Sequence, residues 1–125
     1  MPVARRRIDI EEGAAALQAW HRAALEPAGA PVPRAVVATA VRYTLEEVTA
    51  RAPGNSVEVR VPPYGVTQCV EGPRHVRGTP PNVIECDAVT WLEMVTGRIG
   101  WVEAVGAGRV AASGLRADLS GLLPL

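Results

Sequence analysis

Lysine and phenylalanine are absent from this 125-residue chain. All 13 basic residues are therefore arginine. That removes the lysine of a phosphate-binding loop, lysine Schiff-base chemistry and pyridoxal phosphate anchoring. Cysteine and histidine are scarce: only Cys69, Cys86, His21 and His75 occur. A secreted disulfide scaffold uses more cysteine, and no Cys-x-x-Cys or His-x-x-x-His pair offers metal-ligand spacing. No metal and no cofactor are expected. Neither sign of charge dominates, with 13 acidic residues against 13 basic ones and a pI near 6.7. A general nucleic-acid binder carries a basic surplus, so no nucleic-acid partner is expected. No apolar run approaches the roughly 18 residues of a membrane span. Arg5, Arg6 and Arg7 are followed by Asp9, Glu11 and Glu12 instead of an apolar stretch, unlike a secretory leader. The expected compartment is the cytoplasm, with both thiols reduced. The arginine triplet reads as a solvated terminus, with contact to nucleic acid or anionic lipid as the alternative.

What is present suffices for one ordinary domain. Apolar residues form 48% of the chain, enough for a core. A first helix is expected from Ile10 to Leu25, capped by Asp9, with Glu12 at the capping-box position. Gly13, Leu17, Trp20 and Ala24 share one of its faces. Three prolines between Glu26 and Pro33 then break regular structure. The division expected is a basic segment and helix over 1–26, a proline-rich linker over 27–33 and the main domain over 34–125. A second helix should run from Arg34 to Ala52, with Val37, Val41, Leu45 and Val48 as its apolar stripe. Arg42 with Glu46, and Glu47 with Arg51, are spaced for ion pairs on its outer surface. Val57, Val59 and Val61 alternate with polar residues as in a half-buried strand. A return strand over Val66 to Glu71, a short third strand over Arg74 to Gly78 and a fourth over Asn82 to Cys86 follow. Asp87 caps a helix to Thr96, closed by Gly97. A short helix over Trp101 to Val105, a strand over Arg109 to Ala112 and a closing helix over Leu115 to Leu123 complete the chain. Strands in a consecutive block favour an α+β fold with helices over one face of a mixed sheet.

The sequence offers few catalytic motifs. Gly106-Ala107-Gly108 precedes a strand instead of following one, so it is no dinucleotide loop. Cys69 or Cys86 with His75 has the composition of a nucleophile and base, but both thiols sit inside expected strands, where burial makes them inert. The two thiols could face each other on neighbouring strands. The most unusual polar segment runs from Glu71 to Pro81. Its Arg74, His75 and Arg77 are candidates for holding a carboxylate or phosphate. A tight corner whose arginines meet Glu71, Glu85 or water is the favoured alternative. Trp91 and Trp101 either line an apolar cavity or fill the core.

The order of elements from Asp87 to Gly97, Trp101 to Val105, Gly108 to Gly114 and Asp118 to Leu125 resembles the sterol-carrier-protein family. Upstream, Ala40 to Glu47, Pro53 to Pro63 and Glu71 to Val83 resemble its actinobacterial orthologue group. The likeness begins near Arg34, leaving the first helix outside. It implies a sterol-carrier-like α+β fold, with a five-stranded twisted mixed sheet and helices packed on one face. It also implies non-catalytic binding of a lipid or other apolar small molecule in a hydrophobic tunnel. The apolar lining expected there is Val37, Val41, Leu45, Trp91, Leu92, Leu119, Leu122 and Leu123. The same segment resembles the C-terminal domain of mycothiol-dependent maleylpyruvate isomerase-like enzymes, whose separate helical bundle holds the metal and does the chemistry. This implies an accessory anion-binding role for Arg74 and Arg77. A third reading is a structural or regulatory module without ligand, meeting a protein partner through the first helix.

Overall fold

The computed structural model describes residues 6–27, 31–72 and 82–125. Helix α1 (Ile10–Leu25) begins where Asp9 accepts a hydrogen bond from the Glu12 backbone N–H at 3.1 Å. Glu11 and Glu12 in its first turn and Arg22 in its last complement the helix dipole. Helix α2 (Arg34–Arg51) starts after Pro33 and carries Val41, Leu45 and Val48 into the core, with Val37 half-buried beside them. The face of α1 bearing Gly13, Leu17, Trp20 and Ala24 is turned inward, and Trp20 joins the core. Gly13 is needed there, because a Cβ would overlap the Tyr43 ring of α2.

Ala52 ends α2, and Gly54 (φ +148°) lets the chain cross so close to the Val70 backbone that a side chain would collide with it. Strands β1 (Val57–Val61) and β2 (Gly65–Cys69) form an antiparallel hairpin. Strand β3 (Val83–Cys86) pairs parallel to β1. Helices α3 (Ala88–Val95) and α4 (Trp101–Gly106) follow, and strand β4 (Val110–Ser113) returns antiparallel to β3. The sheet order is β2-β1-β3-β4. Val57, Val59, Val61, Cys69, Ile84, Cys86 and Val110 point into the core. Glu58, Arg60, Gln68 and Glu85 alternate with them on the opposite face, where Glu58 and Arg60 pair.

Polar groups, Asn82, Ser56 and Thr90 buried among them, tie these layers together. The Asn82 amide donates to the Ser56 carbonyl at 2.8 Å and accepts from the Arg116 N–H at 2.9 Å. Arg109 reaches from the start of β4 to Thr90 and Glu93 of α3. Asp87 caps α3 by accepting from the Thr90 N–H at 2.7 Å. That bond is the main reason its carboxyl lies below the usual carboxylate range.

Three expectations change. Four strands form the sheet among the described residues, not five; the short strand expected over 74–78 lies outside them. The closing helix over Leu115 to Leu123 is replaced by turns. Gly114 adopts φ +103°, and the Asp118 carboxylate takes the Ser120 N–H at 2.8 Å, offering the backbone a local turn in place of a helix. Leu119 is nonetheless buried, Leu122 and Leu123 pack partly against the core, and Leu115 is fully exposed. The thiols do not face each other: Cys69 of β2 lies opposite Val57, and Cys86 of β3 pairs with Val110, with β1 between β2 and β3.

Candidate functional site

The eight residues expected to line a tunnel belong to one apolar cluster. Val41, Leu45, Trp91, Leu92 and Leu119 are buried, and Val37, Leu122 and Leu123 pack against them. Trp91 is the largest, and its indole N–H donates to Thr44 Oγ1 at 2.8 Å across the α2–α3 interface. Thr44 in turn donates back to its own helix, within 2.9 Å of the Ala40 and Val41 carbonyls. Trp101 is half-buried at the rim of the cluster. Arg74, His75 and Arg77 lie outside the described residues.

One member of the cluster, Leu45, also borders open space. A cavity of about 430 Å³ lies between α2 and β2, lined by Arg7, Ile8, Arg42, Leu45, Glu46, Thr49, Tyr64, Gly65, Val66 and Thr67. Arg42, Leu45, Glu46 and Thr49 recur at helical spacing and so share one face of α2. Gly65 keeps the opposite wall low: a Cβ there would lie 3.2 Å from Leu45 Cδ1 and 3.7 Å from Arg42 Cγ. Arg42 does not pair with Glu46 as its spacing suggested. Its Nε donates to the Tyr64 carbonyl at 2.9 Å. The Glu46 carboxylate accepts instead from the Arg7 N–H at 2.8 Å and the Ile8 N–H at 3.1 Å. Arg6 pairs with Glu47, which also holds Arg51 at 3.2 Å. The chain over Arg6 to Ile8 is thus strapped across α2 and forms one wall of the cleft. Arg34 sits over the Tyr64 ring, 5.8 Å from its centroid.

A second, shallower groove of about 450 Å³ crosses the outer face of the sheet, between the Pro62–Pro63 turn, Val66 and the charged row of Glu58, Arg60 and Glu85. It opens widely to solvent.

The thiols are poor nucleophiles. Burial pushes Cys69 up to about 11. Burial, assisted by the negative charge of Asp87 and opposed by Arg109, pushes Cys86 up to about 12. Among the described residues, no three histidine, cysteine, aspartate or glutamate side chains gather as a metal site would require. No helix among the described residues is long and apolar enough to cross a membrane.

Sequence reasoning found Leu45 but missed the rest of the cleft. Arg42, Glu46 and Thr49 carry the helical spacing, but their polarity marks them as solvent-facing until β2 and the N-terminal strap are placed beside them. No match was found among curated proteins. The family description "bacterial SCP ortholog" matches residues 33–125, which span α2, the whole described sheet, α3 and α4. With this match extending over most of the chain and the helix-on-mixed-sheet architecture beneath it, the protein belongs to the bacterial SCP ortholog branch of the sterol-carrier-protein family.

Proposed function

We propose that this domain binds and carries an apolar or amphipathic small molecule, without catalysing a reaction on it, in a tunnel between the sheet and the helices. The observation that carries this reading is the cleft of about 430 Å³ between α2 and β2. Its volume falls within the range of small-molecule sites. Leu45 joins it to the apolar cluster of Val37, Val41, Trp91, Leu92, Leu119, Leu122 and Leu123, the proposed inner wall. Affinity would come from apolar area removed from water, at roughly 25 cal/mol per Å². The protonated, buried thiols and the family membership support a carrier over an enzyme. Operation in the cytoplasm is part of the same proposal.

A second reading, a ligand-free interaction module, draws on the full burial of Val41, Trp91 and Leu92. Its expected contact surface is weakened by the structure, since Trp20 and Leu17 of α1 are already engaged with the rest of the fold. Native mass spectrometry of the purified protein separates the two. A co-purifying lipid-like mass that organic extraction removes supports carriage. Bare protein that also fails to take up an added fluorescent acyl probe supports the interaction module.

A further inference from the structure

The cleft is chemically asymmetric. At its Tyr64 end stands Arg42, Arg7 also lines the cleft beside Glu46, and Arg34 lies over the tyrosine ring. Among the described residues none of these three arginines is in an ion pair. Arg42 is oriented by its single bond to the Tyr64 carbonyl, which leaves its two terminal nitrogens as donors. Glu46, the one acid in the lining, has each oxygen engaged by a backbone N–H of the strap. This end therefore offers positive charge and unspent donors.

The opposite end offers the reverse. Thr49 donates its only hydroxyl proton to the Gln68 carbonyl at 2.8 Å. The bond between the Thr49 and Thr67 hydroxyls must then run from Thr67 to Thr49. Both protons are spent, and Thr67 Oγ1 is left with acceptor capacity only. Arg42 and Thr49 are about 10 Å apart along the helix axis. Between them the walls are Leu45, Ile8 and Gly65.

We propose that the cleft selects a bifunctional amphiphile: a carboxylate held by Arg42, with Arg7 a further cation in the lining, a short apolar body over Leu45, and a hydroxyl about 10 Å away donating to Thr67. This rests on the carrier reading and names its ligand class. One wall of the site, Arg7 and Ile8, comes from outside the span matched by the family, which starts at residue 33.

Titration calorimetry with ω-hydroxyoctanoate, octanoate and octanol tests this on the full chain. The expected order is ω-hydroxyoctanoate tightest, octanoate about fivefold weaker and octanol weakest. Arg42→Ala should weaken both acids about tenfold and leave octanol unchanged. Thr67→Val should erase the difference between the two acids. Octanol binding as tightly as either acid, or acids indifferent to Arg42→Ala, overturns the proposed ligand class and leaves carriage standing. No binding by any of the three overturns both. Should a variant fail to fold, the order measured on the unaltered protein decides alone.

Discussion

Trp91 shows how a polar atom is made compatible with full burial. Its N–H would lose water at the centre of the molecule, and Thr44 replaces that water. Thr44→Val preserves the shape and removes the acceptor, so chemical denaturation should show a loss of about 1–3 kcal/mol. The thiols follow the same logic of burial. Cys69 and Cys86 should resist alkylation at neutral pH in the folded protein and react once it is denatured. Because the fold holds their protons to about 11 and about 12, their stabilising share is complete below the ordinary thiol range. It is lost as pH rises toward those values, when the unfolded chain has already ionised. Asp87 has the opposite sign. Its lowered carboxyl favours the fold above the unfolded carboxylate range and stops doing so as pH falls through the folded value. Asp87→Ala should cost about 1 kcal/mol near neutrality, with the difference vanishing in acid.

Elements with a local signal were legible in the sequence. The valine alternation from Val57 to Val61 gave β1, and the Asp87 cap gave the start of α3, because each signal is complete within a few neighbouring residues. The segment from Leu115 to Leu123 misled for the converse reason. Its leucines have helical spacing, but Asp118 and the flanking glycines settle its backbone, and only the tertiary fold decides that Leu119 enters the core while Leu115 does not. The position of α1 was also hidden, since nothing in its own sequence says that Gly13 meets Tyr43. Gly13→Ala should therefore act beyond its own helix. The added methyl displaces the Tyr43 ring, and we expect a lower melting temperature together with faster hydrogen exchange in α1, despite alanine's better helix propensity. An unchanged α1 exchange rate would show that the two helices do not depend on this contact.

At the scale of the whole molecule, the family and its α+β architecture were readable, while the cleft was not. It takes Arg7 from the N-terminal strap, Arg42 and Thr49 from α2, and Gly65 and Thr67 from β2, residues that only tertiary packing brings together. The apolar cluster has the converse history: its members were recognised, but sequence does not distinguish a wall from a plug. Ligand carriage therefore depends on whether the open space beside Leu45 is where a ligand enters. Gly65→Leu places a side chain into that space from an extended strand position that has no need of glycine's special conformations. The decisive measurement is binding of a fluorescent acyl probe by the unaltered protein and by Gly65→Leu, with circular dichroism confirming the fold of both. Saturable binding at micromolar probe that Gly65→Leu abolishes is the expected result; equal binding by the two proteins, or none by the unaltered one, would show that the cleft is not the ligand site.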